Sequence, residues 1–174
     1  MGVKPCSTPI IPNICLTKND GDPYNDPKRY RRLVGKPNYL MVMTWPDIAF
    51  AVSIVSQFMS APMLKHWTAL EQILCYLKWT LRLGILYRDY GHIALECFSD
   101  ADWAGFKSDR RSTICYCVFI GGNLVSWKSK KQNVIFRSSA ELEYRVMAQS
   151  TCEILWINHL LKEVSMNVVS HAKL

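Results

Sequence analysis

The feature that most limits the fold is a change of hydrophobic period near Gly84. Before it, apolar residues recur every three to four positions, as along one face of a helix. After it they alternate or run in short β-branched blocks, as in strands. A chain that makes this switch and then returns to a helical pattern near its end is α+β. Three helices are predicted before the switch. The first spans Arg29 to Met43 behind the start signal Asp26-Pro27. Its apolar positions are Leu33, Tyr39 and Leu40, and Pro37 should kink or break it, because an interior proline costs about 3 kcal/mol. The second starts at Pro46-Asp47 and turns Ile48, Val52, Val55 and Met59 inward. The third runs from Leu64 to Leu83 on a stripe of Leu70, Leu74, Leu77 and Leu81, with Gly84 as its stop. His66 on this helix reads as a surface or packing residue. Residues 1–27 carry Pro5, Pro9, Pro12, Pro23, Pro27 and an Asn-Asp-Gly-Asp turn, and read as a loop or linker.

Beyond Gly84, Ile85 to Arg88 reads as a short strand and Ile93 to Asp100 as a longer one. Thr113 to Ile120 is rich in β-branched and aromatic residues. Gly121-Gly122-Asn123 is a hairpin turn, and Leu124 to Trp127 opens a third strand. Residues 93–136 are therefore predicted to form a three-stranded antiparallel meander. A long helix follows from Ser139 to about Val164, capped by Ser138, with Glu141 reaching back in a capping box.

Composition excludes several classes. Of 174 residues, 49% are apolar and 20% charged, which suits a packed domain and not a disordered chain. The most apolar run, Ile48 to Val55, is too short to span a bilayer. A net charge of +7 favours an acidic partner such as nucleic acid. Seven cysteines include no Cys-x-x-Cys pair, so zinc is not expected, and they read as reduced core residues of an intracellular protein.

Two carboxylates stand out. Asp100 ends the first long strand on the same face as Phe98, read as a core residue; a solvated turn is the plainer explanation. Glu143 lies within roughly 40° of Met147, Ile154, Ile157 and Leu161 on the last helix, so it should head the apolar stripe and point at the sheet. Two such carboxylates would repel unless a divalent cation bridged them.

Three groups of residues resemble Ty1/copia-type retrotransposon Pol polyproteins, those of plants above all. Tyr30-Arg31-Arg32-Leu33-Val34-Gly35, Pro46-Asp47-Ile48-Ala49-Phe50-Ala51-Val52 and Tyr76-Leu77-Lys78 resemble the stretch after the reverse transcriptase active site. Ser99-Asp100-Ala101-Asp102-Trp103-Ala104-Gly105, Ser126-Trp127-Lys128-Ser129-Lys130-Lys131-Gln132 and Ser138-Ser139-Ala140-Glu141-Leu142-Glu143-Tyr144 resemble the ribonuclease H part that follows. The resemblance implies a tail of the reverse transcriptase region over 1–27, a helical thumb- or connection-like region over 28–83, and the N-terminal part of a ribonuclease H-like domain over 84–174. It implies cleavage of RNA in RNA/DNA hybrids with Mg²⁺ or Mn²⁺, Asp100 and Glu143 being catalytic metal ligands. Arg110, Lys128, Lys130 and Lys131 become hybrid-backbone contacts, each with a plain solvated-surface alternative. Asp102 and Glu141 receive no ligand role.

The family carries a third catalytic aspartate on a strand after the helix, and the sequence ends at Ser170-His171-Ala172-Lys173-Leu174, where that strand begins. The expectation is a truncated, inactive nuclease with an exposed first-strand edge, or one completed by a second chain. A non-enzymatic nucleic-acid-binding remnant and a decayed reading frame without function are the alternatives. Pro37, Trp45, Trp79, Phe106, Ile114-Cys115 and Phe136 depart from the family pattern and look like unselected drift. The implied location is cytoplasm or nucleus, with a mitochondrial label also conceivable and no membrane involved.

Overall fold

The computed structural model describes residues 6–12, 14–19, 21–81, 83–105, 109–166 and 172–174. Pro5, Asp20 of the Asn-Asp-Gly-Asp turn, Phe106, Ser170 and His171, which the sequence reading used, lie outside them. The chain is α+β and divides into two compact units, Met1–Ile85 and Leu86–Leu174.

The first unit is helical. Helix α1, Pro27–Met43, starts where Asp26 Oδ1 accepts from Arg29 N at 2.9 Å, with Pro27 in the first turn. It runs through Pro37 without a break. Tyr30 and Val34 are fully buried, whereas Tyr39 is 70% exposed, so the inward stripe is one turn earlier than the sequence reading placed it. The Tyr30 hydroxyl donates to Val55 O at 2.8 Å, joining α1 to α2, Ala49–Ser56. A 3₁₀ turn, Pro46–Ile48, leads into α2, which buries Ala51, Val52 and Val55. Helix α3, Leu64–Trp79, contributes Leu70, Ile73 and Leu77 to the same core. It stops before Leu81, which is 70% exposed, and not at Gly84. The described residues of the proline-rich segment before α1 form no helix or named strand, yet they are no free linker: Ile10, Ile14, Leu16 and Tyr24 pack on this core.

His66 is a packing residue with a polar task. It is fully buried, stacked on Phe58 with centroids 3.7 Å apart. Its Nδ1 accepts from Met63 N at 3.0 Å, taking the place a glutamate holds in a capping box, and Nε2 lies 2.9 Å from Thr17 O. With Nδ1 as acceptor, Nε2 carries the proton and donates to Thr17.

The second unit is a three-stranded antiparallel sheet in the order β1-β2-β3 with one long helix on one face. Strand β1 is Leu95–Asp102, β2 Thr113–Ile120 and β3 Asn123–Lys131. The expected strand at 85–88 does not form, and β1 continues two residues beyond Asp100. Gly121 and Gly122, both at positive φ, make the β2–β3 turn, and a Cβ at Gly121 would overlap the His92 carbonyl. Helix α4, Ser139–Glu163, packs Ile154, Ile157 and Leu161 on Leu95, Cys97, Tyr116 and Val118. A second cluster joins Leu142 and Val146 to Ile114 and Phe136.

The outer edge of β1 is not bare along its whole length. Lys173 bridges Glu96 in parallel, with Cys97 N donating to Lys173 O at 2.9 Å and Lys173 N to Leu95 O at 3.1 Å. Backbone groups of the first half of the edge are thereby satisfied. The cysteines divide too: Cys75 and Cys97 are buried, but Cys15 and Cys152 are exposed and are not core residues.

Candidate functional site

Alternation along β1 decides where Asp100 lies. Leu95 and Cys97 are buried against α4, so Glu96, Phe98, Asp100 and Asp102 belong to the opposite face. Phe98 is 60% exposed, touching Phe119 edge-on at 5.8 Å, and is not the core residue expected. Asp100 pairs with Cys115 in register, and Asp102 with Thr113. Burial first, and then the charges of Asp100 and Asp102, push the Cys115 thiol up, against a hydrogen bond to Ser129. The Asp102 carboxylate folds over Gly105, where a Cβ would overlap it.

Glu143 does not head the buried stripe. That stripe is Leu142, Val146, Ser150, Ile154, Ile157 and Leu161: its second half is as the sequence reading placed it, but its first half runs one residue earlier, and Glu143 and Met147 are exposed. The phase follows from the capped start. Ser138 Oγ accepts from Glu141 N at 3.1 Å, while Glu141 Oε2 reaches Arg137 N at 2.8 Å and not the Ser138 amide of a standard capping box. Among the described residues no three carboxylate, imidazole or thiol groups come together as a cation site. Asp100 and Glu143 alone do not fit a pair of divalent ions, which require several carboxylate oxygens each.

The basic residues separate into two places. Lys128 and Lys130 face α4, since they pair with Tyr116 and Ile114 on the buried side of the sheet. Together with Arg145 and Gln149 of α4 they line a groove of about 400 Å³. Its floor is Tyr116, 8% exposed, with Lys128 Nζ 5.9 Å above the ring. The groove's carboxylate, Glu153, is held by hydroxyls: Ser126 Oγ donates to Glu153 Oε1 at 2.7 Å, and Tyr116 also bonds it. Burial first, then the Glu153 charge and that hydrogen bond, push the Tyr116 phenol up to about 12.

Lys131 points to the other face, where its Nζ lies 2.9 Å from Asp109 Oδ2. Burial works to raise the Asp109 carboxyl, but Lys131 and the Arg111 amide and charge override it and hold it below its ordinary value. Arg110 sits at φ 52 with its guanidinium 6.0 Å from the Trp103 ring centroid. Sequence reasoning missed Arg145 and Gln149 because it set the helix phase from Glu143. The available signal was the i, i+4 spacing of Arg145 and Gln149 beside the period-2 pair Lys128 and Lys130.

No protein-family profile matches the chain, and no solved structure does. It is 43% identical over 165 residues to the retrovirus-related Pol polyprotein from transposon RE1 of Arabidopsis thaliana, covering 95% of this chain and 11% of that one. Identity to the corresponding polyprotein from transposon RE2 of the same plant is 41%, with the same coverage. Secreted RxLR effector protein 161 of Plasmopara viticola is 44% identical over 128 residues, 74% of this chain and 90% of that one. The chain thus spans about a tenth of the Pol polyproteins it matches.

Proposed function

The chain belongs to the retrovirus-related Pol polyproteins of Ty1/copia-type transposons, and on that premise we propose that residues 86–174 are part of their ribonuclease H-like nuclease. The substrate class is the RNA/DNA hybrid. Asp100 and Glu143 are the first-strand and helix carboxylates of its site. Asp100 and Glu143 would contribute to holding Mg²⁺ or Mn²⁺ only with further carboxylates from another segment or a second chain, and the ions would then supply the Lewis acidity that phosphodiester hydrolysis needs. Alone, this chain binds hybrid and does not cut it.

The observation that carries this reading is the groove of Lys128, Lys130 and Arg145, which holds cations with no ion pair among the described residues and lies apart from Asp100, whose sheet face is the one opposite α4. Phosphate contacts need only the cations, whereas hydrolysis needs the complete carboxylate set. The test is salt-dependent binding of a labelled hybrid without divalent ions. Affinity should fall linearly on a log–log plot as salt rises, and Asp100→Asn and Glu143→Gln should leave it unchanged or slightly higher. Absence of binding at low salt would defeat the proposal.

A further inference from the structure

We propose that the groove between β3 and α4 seats the phosphodiester backbone of one nucleic-acid strand, held by Lys128, Lys130 and Arg145. This deepens the reading above and rests on it. The sheet supplies one wall: Lys128 and Lys130 are two residues apart on one strand face, about 6.6 Å along β3. They form a short row of charges, which suits a polyanion running along the strand better than a single compact anion. Helix α4 supplies the facing wall, with Arg145 and, one turn on, Gln149. Arg145 offers a planar fork of donors suited to phosphate oxygens, and the two lysines act as point charges.

Three features make this an anion seat and not merely a basic surface. First, none of the three cations has an ion-pair partner among the described residues, in contrast to Lys131, which is taken by Asp109. Second, Glu153 accepts from Ser126 and Tyr116, so its oxygens are turned to hydroxyls. Third, the floor is a tyrosine whose ring is nearly buried and whose hydroxyl is already bonded, so no aromatic face stands open for base stacking. The chemistry on offer is charge and amide donors with no open aromatic face, which predicts that backbone contacts supply most of the affinity.

Cys152 provides the readout, since it is exposed and lines the same groove. The full chain is treated with a thiol-alkylating reagent, with and without saturating RNA/DNA hybrid, and Cys152 modification is followed by mass spectrometry. Cys15, exposed in the other unit, is the internal reference. Hybrid is expected to slow alkylation of Cys152 several-fold relative to Cys15. In parallel, replacing Lys128, Lys130 and Arg145 together by Gln should flatten the salt dependence of hybrid affinity by about 2–3 in log–log slope. Lys162→Gln, in the last turn of α4 and outside the groove, should leave the slope as it is. If the parent chain binds hybrid but Cys152 stays equally reactive and the triple variant keeps its slope, the groove is not the seat and the reading of the nuclease unit stands. If the parent chain binds no hybrid, both fall.

Discussion

Replacing His66 by Phe isolates what a buried imidazole does for the helical unit. The substitution keeps an aromatic ring against Phe58 and removes both polar contacts. Met63 N–H then loses its acceptor in a partly buried position, at about 1–2 kcal/mol. The Thr17 carbonyl loses its donor, but Thr17 is exposed and water can replace the bond, so about 0.5–1 kcal/mol is expected there. Together the loss is about 1.5–3 kcal/mol, a sizeable share of the roughly 5–15 kcal/mol typical of a whole domain. His66→Ala adds an unfilled ring-sized space and should cost about 2 kcal/mol more. Hydrogen exchange of peptides from α3 reads this unit separately from the other, and urea midpoints give the total. If His66→Phe exchanges and unfolds within about 0.5 kcal/mol of the parent, the imidazole is ordinary filler and the argument from its two hydrogen bonds is wrong.

Ser138→Ala removes the N-cap of α4 and should lower stability by about 1 kcal/mol, while Ser138→Asp should not, both measured by urea unfolding. The Asp109 carboxyl, held below its ordinary value, contributes stability that is present at neutral pH and lost as pH falls through that lowered value. The urea midpoint of Asp109→Asn should therefore lie below the parent's at neutral pH, and the gap should close as pH falls through that lowered value. Cys6 hydrogen-bonds the buried Cys75 thiol, and the Gln72 side chain holds the nearby Thr8 carbonyl at 3.3 Å on the same helix. Incubation with oxidised glutathione should link Cys6 to Cys75 by two exchange steps that release two reduced glutathione molecules. A linked peptide in the digest checks this, and its absence while Cys15 is glutathionylated would contradict the docking of residues 6–10 on α3.

The architecture was legible because period is a local property. The meander, its glycine turn and the long capped helix follow from alternation and turn chemistry, and β2 lies where its β-branched run placed it. Phase was less legible. The apolar residues of α4 spread over more than one face, so Met147 and Leu142 competed to define the stripe, and only packing against Ile114 and Phe136 settled it. That one-residue error carried Glu143 inward on paper and hid Arg145. The α3 boundary failed for a related reason: Leu81 and Leu83 continue the pattern, but both are left exposed. Two departures from the family pattern, Ile114 and Phe136, pack in one cluster with Leu142 and Val146. The separation of Lys131 from Lys128 and Lys130 follows from strand alternation, and its pairing with Asp109 required knowing how the β1–β2 loop ends.

The measurement that tests the central claim most directly is a combined binding and cleavage assay on a labelled RNA/DNA hybrid with Mg²⁺ or Mn²⁺. The parent chain is run beside Asp100→Asn and Glu143→Gln. The account predicts that all three bind the hybrid and leave its RNA strand intact, because two exposed carboxylates do not make a two-metal site. RNA cleavage by the parent that both substitutions abolish would contradict it, and would show that a working centre forms from this chain without further carboxylates being added.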